Sequence, residues 1–144
     1  MGQDALLFSA AFCRTFQDTR QPNPGALQMS ETNKEILRKA NQAISQGDFE
    51  GFLLHCSEDT EWNFIGEQTI RGKDAVRQWM SETYKEPPRF RVDRMIADAD
   101  FVVALGEIMI RNESGEDQRH AYCDVWRFEG GRMVELRAFV VATT

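Results

Sequence analysis

The sequence predicts an α+β fold, a single cone in which three helices cover a curved antiparallel sheet, with an extra segment at the N-terminus. Two observations carry this reading. Helical patterns come first and strand patterns follow, in the order helix, helix, strand, helix and then four strands, which is the grouping expected of an α+β domain. The final stretch, Arg119 to Val141, then places Gly130-Gly131 between two runs rich in Val, Tyr, Phe and Trp, a strong hairpin signal. At 144 residues the chain is expected to form one domain with a real core or a ligand cavity.

Taken in order, residues 1–29 differ from the rest. Leu6, Leu7, Phe8, Ala11, Phe12 and Phe16 fit one short amphipathic helix, which QPNPG (Gln21 to Gly25) then breaks. The domain proper is placed at 30–144, with 1–29 an extension that is either helical or disordered. Thr32 with Glu35 is a capping-box pattern, and Ile36, Leu37, Ala40, Ala43 and Ile44 follow at helical spacing. Gly47 stops that helix and Asp48 caps a short second one bearing Phe49, Phe52, Leu53 and Cys56. Glu61 to Ile65 reads as a strand with Trp62 and Phe64 on one face, and Gly66 to Gly72 as a loop. Asp74 opens the third helix, with Ala75, Val76, Trp79, Met80 and Thr83 as its buried stripe and Pro87-Pro88 as its end. Phe90 to Ile96 and Phe101 to Ile110 are the next strands, the latter apolar on both faces at its start.

Composition excludes several classes of function. The 42% hydrophobic and 28% charged residues are ordinary for a soluble globular protein. A net charge of −6 and a pI near 5.0 argue against nucleic acid or an anionic membrane as partner. No apolar run approaches the roughly 20 residues of a membrane-spanning helix. The apolar ALLFSAAF lacks the basic stretch that precedes the core of a secretory signal. Cys13, Cys56 and Cys123 have no metal-type spacing, so free thiols in a reducing cytoplasm are expected. There is no glycine-rich phosphate loop, and neither a cofactor nor a metal is expected.

The last hairpin holds the strongest functional signal. His120, Tyr122, Asp124, Trp126 and Phe128 share one strand face, because side chains two apart point the same way. A carboxylate among aromatics must be paired, solvated or shifted toward its neutral form.

These pieces resemble the nuclear-transport-factor-two-like superfamily, in particular its SnoaL-like branch. The matching motifs are GDFEGFL, EDTEWNFIG, IRGKDAVRQWM and CDVWRFEGGRMVELRAF, and their order covers nearly all of 30–141. The superfamily includes ketosteroid isomerases, polyketide cyclases, limonene epoxide hydrolases and scytalone dehydratases, so the resemblance specifies fold well and chemistry poorly. CDVWRFEGGRM is similar to the isomerase segment carrying an oxyanion-stabilising Asp, which maps to Asp124. That acid is kept neutral by its apolar site so that it can donate a hydrogen bond. Trp79 falls on an isomerase pocket aromatic. The general-base Asp position is Phe64 and the oxyanion Tyr position is Ala40, so the resemblance does not support the isomerase mechanism.

Strand parity is expected to turn Trp62, Phe64, Glu107, Met109, His120, Tyr122, Asp124 and Trp126 into the cone, with Trp79 closing it from the helical side. That makes Trp62, Phe64, Trp79, Met109, Tyr122 and Trp126 the candidate walls for an apolar small molecule. Asp124, Glu107 and His120 are the candidate catalytic groups. Asp124 is read as a general acid or base, or as a hydrogen-bond donor to a substrate oxygen. Glu107 across the strands would form a two-carboxylate pair with it, and His120 would shuttle a proton. The structural alternatives are an Asp124 bonded to Tyr122 or His120, a Glu107 facing water, and a solvated His120. Isomerisation, cyclisation, hydration or dehydration of an apolar oxygenated compound is one reading. A ligand-binding or dimerisation module without chemistry is the other. The resemblance further implies a homodimer through the outer sheet face, where Val125, Arg127, Arg137 and Phe139 would lie.

Overall fold

The computed structural model describes residues 23–144. The first helix, α1 (Pro24–Ser45), begins eight residues before the Thr32 expected to cap it. Asn23 caps it instead, its side-chain oxygen accepting from the Gly25 N–H at 3.0 Å, and Pro24 takes the first turn, where its missing N–H costs nothing. The helix therefore runs unbroken through Met29, while the amphipathic pattern of Leu6 to Phe16 lies outside the described residues. Gly47, at φ 78°, ends the segment in a left-handed conformation. Asp48 then caps α2 (Phe49–Leu53), accepting from the Gly51 N–H at 2.8 Å.

Strand β1 (Cys56–Phe64) is longer than expected, and the stretch read as a loop contains a short strand, β2 (Gln68–Arg71). After α3 (Lys73–Thr83) come β3 (Arg89–Asp98), β4 (Phe101–Arg111), β5 (Asp117–Glu129) and β6 (Arg132–Ala142). Gly130 and Gly131, at φ 55° and 77°, form the β5–β6 turn, where two positive angles match the twist of a tight hairpin.

The six strands form one sheet in the order β2-β1-β6-β5-β4-β3. The expectation of a purely antiparallel sheet is corrected at one ladder: β1 runs parallel to β6, with Trp62 opposite Leu136 and Phe64 opposite Ala138. A helix intervenes between β1 and the meander, so β1 can enter the sheet in either direction, and tertiary packing decides which.

The concave face meets the helices and holds the core. Trp62, Val102, Ala104, Tyr122, Trp126, Leu136 and Ala138 are buried there against Leu37, Ala40 and Ile44 of α1, Phe52 of α2 and Val76 and Met80 of α3. Each such large apolar side chain contributes about 1.5–3 kcal/mol by leaving water. Trp62 is the hub: its ring packs edge-on to Phe52, Trp79 and Trp126 at centroid distances of 5.7, 6.1 and 5.6 Å. The convex face carries Leu105, Cys123 and Phe139 in one cross-strand row and Val103, Val125 and Arg137 in the next. No helix among the described residues is long and apolar enough to cross a membrane.

Candidate functional site

The cone encloses a cavity of about 110 Å³. Sheet register builds most of its floor. Asp124 of β5 stands between Ala104 on β4 and Ala138 on β6, two small residues that leave room above the carboxyl. Trp126 and Tyr122 flank it along the same face, and Phe52, Trp62 and Phe64 close the sides. Beyond a neck formed by Phe64, Tyr84, Ile108 and Val140, an outer vestibule of about 430 Å³ opens toward solvent.

Among the described residues no side chain donates a hydrogen bond or an ion pair to Asp124. Burial alone pushes its carboxyl up to about 7, because the charged form loses its water without gaining a partner. The residue keeps some accessible surface because the carboxyl borders the cavity. It sits far from bulk solvent all the same, and that depth governs its charge. Two phenols share the site. Burial, and then the negative charge of Asp124, hold the hydroxyls of Tyr84 and Tyr122 well above the usual tyrosine range. A carboxyl poised near neutrality beside two protonated phenols can accept or donate a proton, and the phenols can donate hydrogen bonds to a ligand oxygen.

Of the residues expected at the site, Trp62, Phe64, Tyr122, Asp124 and Trp126 line the inner cavity, while Trp79 and Met109 line the vestibule. Glu107 does not reach it. Its register partners are Arg91 and Ala121, on the face opposite Ala104 and Asp124, and its carboxylate pairs with Arg91 at 3.3 Å on the outside of the sheet. Met109 shares that outward parity and lines the vestibule but not the inner cavity. The paired-carboxylate arrangement is therefore absent. His120 keeps the parity of Asp124, but its Nδ1 lies 3.0 Å from the carbonyl oxygen of Gln118 and it lines neither chamber.

Two site residues were not visible in the strand pattern. Tyr84 follows the last turn of α3 and packs edge-on to Trp79 at 5.4 Å and at a tilt to Phe49 at 6.0 Å, and it lines the inner cavity. Asn41 lies on α1 between Leu37 and Ile44. A polar residue spaced one turn from both was the available signal. The thiol of Cys56 is buried and pushed up to about 12, which leaves it unreactive. Among the described residues no three His, Cys, Asp or Glu side chains converge as metal ligands do.

The family model of the SnoaL-like domain matches residues 37–136, from the middle of α1 to β6. The chain belongs to the SnoaL-like domain family. No curated protein matches it. Among solved structures, this SnoaL-like domain is similar to an NTF2-like protein of unknown function from Cytophaga hutchinsonii. The match has a TM-score of 0.65 and 25% identity, over 78% of this chain and 99% of that one. It is also similar to an LEH-like epoxide hydrolase from M. tuberculosis, with a TM-score of 0.70 and 15% identity over 78% and 84% of the two chains. A candidate SnoaL-like polyketide cyclase from Jannaschia matches with a TM-score of 0.69 and 13% identity over 84% and 90%. At the two lower identities the likeness establishes the fold alone.

Proposed function

We propose that this SnoaL-like domain is a small enzyme that binds an apolar, oxygenated molecule in its cone and moves a proton on it with Asp124. Isomerisation, cyclisation, hydration and dehydration are the reactions such a site serves. One observation carries the reading: Asp124 lies at the floor of an aromatic cavity with no partner among the described residues, and burial brings its titration to about 7. A carboxyl with no structural bond to make is a poor stabiliser, since burying it uncompensated costs free energy. It is a good acid-base group near neutral pH. Tyr84 and Tyr122 would hold the substrate oxygen, and Trp62, Phe64 and Trp126 its carbon skeleton.

The position of Glu107 favours a second reading, a ligand-binding module without chemistry, because the site lacks the second carboxylate of an acid-base pair. One experiment separates the two. The wild type and Asp124→Asn are assayed for binding and turnover on ketosteroids, epoxides and polyketide-like aromatics. Turnover lost in the variant with binding retained supports the enzyme. Binding without turnover in the wild type supports the module.

The convex face is proposed as a homodimer surface. Exposed Phe139 and Val141 adjoin half-buried Leu105, Cys123 and Val125, ringed by Arg127, Glu135 and Arg137. Exposed apolar patches with polar rims mark such contacts. Sedimentation is expected to give a dimer that Phe139→Asp dissociates; a wild-type monomer at micromolar concentration would reject the surface. The free thiols at Cys56 and Cys123 fit a reducing compartment, and a cytoplasmic location is proposed on that ground.

A further inference from the structure

The apolar neck is not the sole hollow that borders the Asp124 cavity. Between α1 and β3 lies another, of about 330 Å³, lined by Arg38, Asn41, Val92, Asp93, Arg94 and Met95. It shares no lining residue with the vestibule and one, Asn41, with the inner cavity. Its character differs from that of the neck, where Phe64, Ile108 and Val140 are apolar: three of its six side chains are charged and a fourth is an amide.

Local backbone geometry shapes the β3 side of this hollow. The β3–β4 register slips between Val92 and Arg94, so Asp93 is an extra residue in the strand. Such bulges re-aim a side chain, and they cluster beside working sites. Opposite Val92 stands Gly106, which interposes no side chain between the bulge and Tyr122. A Cβ there would come within 2.9 Å of the Tyr122 hydroxyl oxygen. The charge of Asp93 is accordingly felt at that hydroxyl. Asn41 is half-buried and offers both donors and an acceptor. Asn41, Tyr122 and Asp124 all line the inner cavity, and together they would offer a water the two to four polar partners that it needs to be held inside a protein.

We propose that this hollow is a water portal, in which Asn41 relays solvent through the gap between α1 and the β3 bulge to Asp124. The organic molecule would then use the apolar neck and water the polar window, so that water still reaches the carboxyl when a ligand plugs the neck. The proposal rests on the reading of Asp124 as the working group. Within that reading it favours substrates that add or release water over those merely rearranged.

The test needs no substrate. Asp124 is titrated by carboxyl-carbon NMR in the wild type, in Asn41→Leu and Asn41→Met, which plug the window, and in Ile108→Trp, which plugs the neck. The charged groups facing the window, Arg38, Asp93 and Arg94, and the phenols of Tyr84 and Tyr122 stay in place throughout. Either plug at position 41 is expected to raise the midpoint by about one pH unit, as the carboxylate loses its remaining water. Ile108→Trp is expected to raise it less. Should both plugs at 41 leave the midpoint unmoved, or Ile108→Trp raise it more, the portal is overturned. A wild-type midpoint near 4 would instead overturn the proposed function, whereas the portal is decided by the difference between the variants.

Discussion

The ring of Tyr122 lies across the Cα of Gly106, its register partner on β4, so closely that a Cβ at position 106 would sit 2.9 Å from both the ring and the hydroxyl oxygen. The same Cβ would be 1.9 Å from the carbonyl oxygen of Arg91 on the other neighbouring strand. Side chains can yield; a ladder carbonyl cannot without moving the strand. Gly106→Ala is therefore expected to destabilise the fold by about 1–3 kcal/mol and to displace Tyr122 from the cavity. Urea denaturation measures the first effect. An unchanged unfolding midpoint would contradict the close approach.

Asp124 sets a pH dependence with a definite sign. Its folded value, about 7, lies above its ordinary 3.8, so the native state holds a proton that the unfolded chain releases between these limits. Stability from this group is full below about pH 4 and falls as pH rises toward 7, by at most about 1.4 kcal/mol per pH unit. Asp124→Asn keeps the shape and removes the titration. The variant is expected to be more stable than wild type at pH 8 and to lack this slope. Parallel profiles for the two proteins would show that the carboxyl is not held neutral.

The aromatic hub ranks two tryptophans. Trp62 is 3% exposed and meets four other rings, whereas Trp79 is half-buried at the vestibule. Trp62→Ala is expected to cost about 3–5 kcal/mol, the range for a buried aromatic, and Trp79→Ala clearly less. Chemical denaturation of both variants checks the order, and the reverse order would remove Trp62 from the centre of the core.

Glu107 provides the contrasting case. Its pair with Arg91 is solvent-exposed, and such pairs contribute about 0–1 kcal/mol. Glu107→Gln is expected to change stability by less than about 1 kcal/mol and to leave the Asp124 titration in place. A moved Asp124 midpoint would mean that the two carboxylates do interact.

The fate of Glu107 shows where sequence periodicity carries information and where it does not. On β5 the alternation is unambiguous, with His120, Tyr122, Asp124 and Trp126 against Ala121, Cys123 and Val125, and the structure turns Tyr122, Asp124 and Trp126 inward. On β4 both faces are apolar from Phe101 to Leu105, so the pattern has no phase, and the inward set is fixed by pairing to β5. That pairing selects Val102, Ala104, Gly106 and Ile108. The early start of α1 was hidden because Pro24 reads equally as a breaker and as a first-turn residue. Tyr84 was hidden because it falls after the helical stripe and before Pro87-Pro88, where no period applies. The wall residues Trp62, Phe64 and Trp126 were legible because bulky aromatics on a strand of known phase have one place to go.

The parallel ladder between β1 and β6 also constrains how the molecule comes into being. Among the described residues, β1 and β2 join the sheet through β6, the last of the six strands in chain order. On the ribosome the helices and the β1–β2 hairpin must wait, with their aromatic faces bare, until Met133–Ala138 have emerged. Pairing across so long a stretch of chain is slow, because loop closure precedes any gain from contact. A truncation that reached Met133–Ala138 would accordingly release β1, whose paired residues lie more than seventy positions upstream in sequence, together with β2, and leave the β3–β4 hairpin paired.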